Sequence, residues 1–253
     1  MDLDEGNAPM PFRWDITEHL QQGKFFLRWL LIGTLVGVVV GSGVALFLWS
    51  LTLATKIRWM TMTPNGLPWL LYLLPVGGLL IGATYMVFGK SVEAGNNLIV
   101  DQIHEPGGGI PARMAPLVLI GTVLTHLFGG SAGREGTAVQ MGGSIASTIG
   151  KCLRLSPHDV RLILMAGVAS GFGAVFGTPL AGAIFAIEVL TIGRVSYEAL
   201  IPCLISSIIG DRVCIAWGTH HQDYSINYVA GQLVINGMPH FDGLLAAKVA
   251  IAS

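Results

Sequence analysis

The sequence predicts an all-α membrane protein with several spanning helices, and three observations lead to this class. Of its 253 residues, 52% are hydrophobic and only 11% are charged, and the mean hydropathy is +0.65. Soluble domains carry roughly 25% charged residues, so the chain lacks the polar cover of a soluble enzyme. Asp, Glu, Lys and Arg are absent from runs that reach or approach the roughly 20 residues of a spanning helix: 29–55, 66–89, 114–133 and 162–187.

The charge balance and the cysteines exclude other classes. A formal net charge of -1 gives no basic footprint for nucleic acid. The three cysteines lie too far apart to suggest a metal site or a disulfide framework, so we expect no metal and no cofactor. Residues 1–24 are polar and acidic-leaning without an apolar core, which favours a cytoplasmic N-terminal segment over a signal peptide.

The first apolar segments follow in a simple order. A long span is predicted from Phe25 to about Lys56, and its Gly33, Gly37 and Gly41 allow close approach of another helix. We interpret these glycines as helix packing. The remaining segments of this part are a loop at 58–68, a second span at about 69–88, a polar connection at 90–113 and an apolar stretch at 116–128.

The later segments are shorter and interrupted. Lys151, Arg154 and Arg161 form a basic cluster typical of a cytoplasmic loop. The predicted segments are a glycine-rich entrance at 129–136, helices at about 137–149, 162–176, 180–190 and 200–217, a polar loop at 219–227 and the beginning of a helix at 241–253. Apolar helices of 11 to 15 residues are too short to cross alone, and such broken helices are how transporters build ion sites. The predicted division is therefore 1–24, a transmembrane part at 25–240, and 241–253.

Glu135 is the strongest candidate for a functional residue. It lies between two apolar helices, where an ionisable group is costly and marks a functional site by default. A helix beginning near Glu135 offers free N–H groups and the positive end of its dipole to an anion. A carboxylate there would occupy the anion's place when charged and leave it when protonated. The alternative is a buried pair of Arg134 and Glu135 that serves packing alone.

Two further helix beginnings offer similar donors. Asn96 and Asn97 follow Gly95 at the start of a short helix, where they are either anion ligands or N-caps. The second beginning is at Pro179, which stands at a predicted first helical turn. Three such beginnings in one apolar chain suggest convergence on an anion.

Two segments closely resemble signature stretches of the CLC chloride channels and anion/proton antiporters: residues 133–137 (GREGT) and 176–188 (FGTPLAGAIFAIE). Asn96 and Asn97 take the place of a Gly-Ser-Gly-Ile-Pro loop, and Thr137 stands where most members have proline. Both departures resemble the fluoride-exporting CLC-F branch. Val189 stands where chloride/proton exchangers have a second, inner glutamate, which is compatible with that branch.

The resemblance implies fluoride/proton antiport across the cell (inner) membrane by a multi-pass protein, with Glu135 as the gating, proton-exchanging glutamate. It also implies a homodimer in lipid with the helices of residues 180–217 at its interface, and transported fluoride or chloride and protons in place of a cofactor. The residues expected to line the anion pathway are Gly95, Asn96, Asn97, Gly133, Arg134, Gly136, Thr137, Phe176 and Thr178.

Other interpretations remain open. The family has two inverted halves, and the resemblance covers only the first. We therefore expect either a truncated, non-transporting fragment or a second half supplied from elsewhere. A chloride channel or chloride/proton exchanger of the same family is the nearest alternative. Residues 129–133 also match G-x-S-x-G, so an intramembrane serine hydrolase using Ser131 is the enzyme alternative, although an apolar helix rather than a strand precedes that serine.

Overall fold

The protein is described here by a computed structural model that covers residues 16–61, 69–105, 107–189 and 197–219, together with two short strands. Short 3₁₀ turns at Trp69–Leu73 and Tyr197–Ala199 lead into α2 and α8. The helices in the described residues are α1 (Ile16–Met60), α2 (Leu74–Phe88), α3 (Asn96–His104), α4 (Met114–Leu127), α5 (Arg134–Cys152), α6 (Pro157–Phe176), α7 (Pro179–Val189) and α8 (Leu200–Ala216).

The all-helical membrane class is confirmed. Among the described residues, four helical segments are long and apolar enough to cross a bilayer: Gln22–Met60, Trp69–Phe88, Pro157–Phe176 and Tyr197–Ala216. Many of their large side chains face outward, including Leu79 and Met86 of α2, each 74% exposed. Such outward apolar faces suit a hydrocarbon solvent, because lipid requires no polar cover.

Gly33, Gly37 and Gly41 of α1 pack against α8, as the packing interpretation predicts. A Cβ atom added to Gly37 would lie 2.8 Å from the Ser206 carbonyl oxygen, and one added to Gly41 would lie 2.8 Å from the Gly210 Cα. Gly33 meets Pro202 and Ile205 of the same helix. Going from Gly33 to Gly41 along α1, the contacted residues of α8 go from Pro202 to Gly210. The two helices therefore run parallel. Small residues here allow the two backbones to touch.

A second close crossing joins α5, α6 and α8. A Cβ atom on Gly142 of α5 would overlap the Gly167 carbonyl group of α6, and one on Gly171 would overlap the Ala138 carbonyl oxygen. α5 and α6 therefore run antiparallel. The Ser207 hydroxyl of α8 donates to the Ala169 carbonyl oxygen at 2.9 Å, which ties α8 to the same core.

The predicted length of the sixth helix is wrong. The sequence suggested an apolar helix at 162–176 that is too short to cross a membrane, whereas α6 has 20 residues and begins at Pro157. Ser156 caps it by accepting a hydrogen bond from the Asp159 N–H, and Pro157 stands at its first turn. The first turn of α6 contains charged residues, so the beginning of this helix does not show as part of an uncharged run. α1 likewise begins earlier than predicted, at Ile16, and α5 begins at Arg134 instead of about 137.

Two contacts establish which helix ends lie together. Arg28, near the beginning of the apolar part of α1, forms an ion pair of 2.8 Å with Asp159 at the beginning of α6. At the other end of α1, Arg58 donates to the His126 carbonyl oxygen at 3.3 Å, near the end of α4. The basic segment 151–161 therefore lies on the same side as the start of α1. The start of α1 and the basic loop thus share one side, and the prediction that this side is cytoplasmic stays a prediction.

The remaining part of the chain is described only in part. The loop predicted at 58–68 is described only to residue 61, and α1 continues to Met60. Most of 219–227, 241–253 and residues 1–15 also lie outside the described residues. Residues 222–253 form a unit separate from 1–221. In that unit, β1 (Val234–Ile235) pairs antiparallel with β2 (Met238–Pro239), a short pairing that the sequence analysis did not predict.

Candidate anion site

The beginning of α5 carries the predicted glutamate. Gly133 is the N-cap in an extended conformation (φ -67°, ψ 136°), and no side chain caps the helix. Arg134 and Glu135 are therefore its first two residues, in the turn whose N–H groups have no partner within the helix. The Glu135 side chain is exposed and the Arg134 side chain is half-buried. The helix beginning that we predicted near Glu135 is thus present.

Thr137 connects α5 to α4 through its side chain. Its hydroxyl lies 2.7 Å from the Thr122 hydroxyl and also donates to the Gly133 carbonyl oxygen at 3.3 Å. Both threonines are buried. This hydroxyl is engaged with α4, and the backbone N–H of Thr137, the fourth residue of α5, bonds within the helix, so the contribution of Thr137 to an anion pathway stays a prediction.

The beginning of α3 has a different cap from the one considered. Gly95 is the N-cap, with a positive φ of 56° that favours glycine, and no side chain caps the helix. The alternative of Asn96 and Asn97 as N-caps is therefore wrong: they are the first two helical residues, and both are exposed. The Asn97 N–H donates to the Ala94 carbonyl oxygen at 3.0 Å. The side-chain amide groups of Asn96 and Asn97 take no part in capping α3.

The beginnings of α3 and α5 meet. The point where a Cβ atom on Gly136 would lie is 3.6 Å from Asn96 Nδ2, and the corresponding point on Gly95 is 3.4 Å from Gln140 Nε2. Glycine at both positions leaves room for these amide groups. Gln140 was missed by the sequence analysis, although it follows Gly136 by four residues and so shares its helix face. The structure thus brings Gly95, Asn96 and Gly136 together, with Gln140 as an added amide.

Phe176 and Thr178 lie where α6 ends and α7 begins. The Phe176 ring packs against Phe172 with 4.8 Å between ring centroids, and its side chain is 38% exposed. Thr178 is exposed, and its N–H donates to the Gly173 carbonyl oxygen at 3.0 Å. Their contribution to one site with Glu135 stays a prediction. Glu188, near the end of α7, is exposed.

The serine hydrolase alternative is not supported by the local structure. A nucleophile elbow needs a strand before the serine, whereas α4 precedes Ser131 and α5 follows it. The His126 Nδ1 lies 2.9 Å from the Thr122 carbonyl oxygen of its own helix, and the Ser131 side chain is exposed. Among the described residues, no three His, Cys, Asp or Glu side chains are grouped to hold a metal ion.

Comparison with known proteins agrees with this architecture. The sequence profile described as "Voltage gated chloride channel" matches residues 77–250, which is more than half of the chain. The chain belongs to the CLC family. This confirms the resemblance that the two motifs indicated.

Individual relatives include fluoride-handling proteins. The chain is 51% identical over 212 residues to a chloride/fluoride channel protein of Pseudomonas syringae pv. tomato, covering 84% of this chain and 46% of that protein. A solved CLC-type fluoride/proton antiporter is 33% identical with a TM-score of 0.71, covering 80% of this chain and 51% of that one. A slow cyanobacterial Cl-/H+ antiporter shares the fold at 22% identity and a TM-score of 0.63. The CLC chain described here spans about half the length of these relatives.

Proposed function

We propose that this CLC chain supplies one half of a fluoride/proton antiporter, in which the beginnings of α3 and α5 bind the anion. The observation that carries the proposal is their meeting at Gly95, Asn96 and Gly136, next to Glu135. The proposal is also supported by the names of the 51% identical relative and the solved antiporter, which both include fluoride.

The donors at this place suit a small, strongly hydrated anion. Fluoride gives up its water only where several short-range donors replace it. No side chain caps either helix, so no side-chain acceptor competes with an anion for their first-turn N–H groups, and the positive ends of two helix dipoles add to the attraction. The amide groups of Asn96 and Gln140 lie at the same place. The proposed binding needs no buried lysine or arginine.

Glu135 is the proposed proton carrier. As the second residue of α5, Glu135 stands in the same turn as the N–H groups that an anion would use. A charged Glu135 competes with fluoride for these donors, and a protonated Glu135 yields them. This competition couples the movement of one proton to that of one anion. The relatives are about twice as long as this chain, so a complementary half would complete the proposed pathway. The exposed position of Glu135 in this half is consistent with such a completion.

The proposed assembly is a homodimer in the inner membrane, with α7 and α8 at the interface. Outward-facing Leu180, Ile184 and Ile208 supply the apolar surface for such a contact. Chloride transport by the same site is the second candidate, since the 51% identical relative is named for chloride as well as fluoride.

Efflux from liposomes tests the proposed function. The chain is reconstituted alone and after co-expression with the second half of the Pseudomonas syringae relative, and fluoride and chloride efflux are recorded with ion-selective electrodes. We expect fluoride efflux to exceed chloride efflux. Glu135→Gln is expected to slow fluoride efflux by about 10²-fold, the typical effect of removing a proton-transferring group.

Glu105→Gln is the matched control. It makes the same chemical change at an exposed glutamate that ends α3 instead of beginning it, and we expect wild-type efflux. Faster chloride than fluoride efflux would favour the chloride candidate. No efflux of either ion in both preparations would identify the chain as a non-transporting fragment.

A further inference from the structure

A cavity of about 200 Å³ lies away from the anion site, where α5 ends and α6 begins. Its walls come from the glycine-rich loop before α4 and from the turn between α5 and α6. The lining residues used below are Gly107, Gly109, Ser147, Lys151, Arg154 and Pro157. The anion site lies at the beginning of α5, so the two places are separated by the length of a 19-residue helix.

Hydrogen bonds hold the glycine side of the cavity in place. Gln102 Oε1 accepts from the N–H groups of Gly107 at 3.3 Å and Gly109 at 2.8 Å. The Ser147 hydroxyl accepts from the Ile110 N–H at 2.9 Å, which attaches the loop to α5. Gly109 has a φ of 67°, and a Cβ atom there would lie 2.9 Å from Lys151 Nζ. The positive φ favours glycine at this position, and the absence of a Cβ lets the end of the Lys151 side chain lie across the loop.

Arg154 adopts an unusual backbone conformation at the rim of the cavity. Its φ is 51°, and within the described ranges it is the one non-glycine residue with a positive φ. The turn is closed by hydrogen bonds from the Leu155 N–H to the Gly150 carbonyl oxygen and from the Arg154 N–H to the Lys151 carbonyl oxygen, each of 3.1 Å. Glycine or asparagine is usual at this position of a helix end. An arginine held in a disfavoured conformation motivates a functional hypothesis.

The cavity carries positive charge that the described protein leaves unneutralised. Lys151 and Arg154 form no ion pair in the parts of the chain that the structure covers. Asp159, the nearby buried carboxylate, is engaged by Arg28 and by the Ser156 hydroxyl. Arg161 lies one helical turn beyond Pro157, and its Nε atom is buried without a hydrogen-bond partner. The region therefore offers cations and a hydrogen-bond donor that a bound anion could use.

We propose that this cavity binds the phosphate group of an anionic phospholipid. It lies at the ends of membrane helices, on the side where Arg28 and the basic turn are found, and anionic headgroups bind basic pockets in that setting. Lys151 and Arg154 bind the phosphate oxygens. Leu153, an apolar side chain that is 44% exposed on the same turn, contacts the acyl region of the lipid. A bound lipid also bridges α5, α6 and the glycine-rich loop.

Lipid retention in native mass spectrometry tests this site. The purified chain in detergent is titrated with phosphatidylglycerol or phosphatidylcholine, and thermal stability is recorded in parallel. We expect preferential retention of phosphatidylglycerol and a higher melting temperature with that lipid. Lys151→Gln with Arg154→Gln is expected to weaken retention by roughly 25-fold, since each cation near a membrane surface contributes roughly five-fold.

Matched variants and a soluble anion separate the outcomes. Lys24→Gln with Lys90→Gln removes two exposed cations outside the cavity lining, and we expect retention within about two-fold of wild type. Lys151→Arg with Arg154→Lys keeps both charges and is expected to retain the lipid. Equal retention of both lipids, or equal losses in the two glutamine pairs, would overturn the proposal. Stabilisation by inorganic phosphate that excludes the lipid would assign the cavity to a soluble anion instead.

Discussion

Gly41 offers a sharp test of the packing between α1 and α8. In a Gly41→Ala variant, the new methyl carbon would lie 2.8 Å from Gly210 Cα and 3.0 Å from its carbonyl carbon. Carbon atoms pack at roughly 3.5–4.0 Å, so the backbones must separate by roughly 1 Å. Overpacking of this kind costs roughly 1–3 kcal/mol. The gain in helix propensity on replacing glycine by alanine offsets at most about 1 kcal/mol of that cost.

We therefore expect Gly41→Ala to lower the free energy of unfolding by about 1–2 kcal/mol. The assay is unfolding in mixed micelles of mild detergent and SDS, followed by circular dichroism. Gly23→Ala is the matched control because Gly23 lies in the same helix with nothing within 4 Å of its Cβ position. That variant should be as stable as wild type or slightly more stable. Equal stability of the Gly41→Ala protein and the control would refute the close approach of the two backbones.

Two further predictions concern the described core. Thr137→Val should destabilise the protein by about 1 kcal/mol, because it leaves the buried Thr122 hydroxyl without its partner. Thr122→Val should cost less, because the Thr137 hydroxyl keeps the Gly133 carbonyl oxygen, and the double variant should cost less than the sum. Additive losses in the same SDS titration would contradict that hydrogen bond. A membrane-impermeant maleimide should label the exposed Cys152 in inside-out vesicles but not in intact cells, and leave the buried Cys203 and Cys214 unmodified. Labelling of Cys152 in intact cells would reverse the assigned orientation.

The fold was predictable where apolar runs and small residues carry the signal. The spacing of Gly33, Gly37 and Gly41 predicted a close helix contact, and the structure supplies α8 as its partner. The first turn of α6 was not predictable in this way, because its charged residues interrupt the apolar run. Asp159 is buried there and pairs with Arg28, which lies 131 positions earlier in the chain. Such long-range pairs leave no local pattern in the sequence.

The helix beginnings that form the candidate site could be predicted from the sequence, but their positions relative to one another could not. Glu135 and Asn96 were identified from glycine-rich entrances and motif resemblance. Their relation depends on how α3 packs beside α5, and Gln140 becomes part of the site only through that packing. The N-cap of α3 also depends on the positive φ of Gly95. A glycine allows this conformation, but a glycine in the sequence does not by itself predict it. The role of Phe176 and Thr178 in the pathway remains a prediction.

Proton movement driven by fluoride is the most direct test of Glu135 as the exchanging group. Liposomes with a pH-sensitive dye inside receive the chain, with its complementary half where needed, and an outward fluoride gradient is imposed. The account predicts that wild-type protein moves protons inward as fluoride leaves, and that Glu135→Gln abolishes this proton movement while Glu105→Gln preserves it. Proton uptake at the wild-type rate in the Glu135→Gln protein would contradict the account.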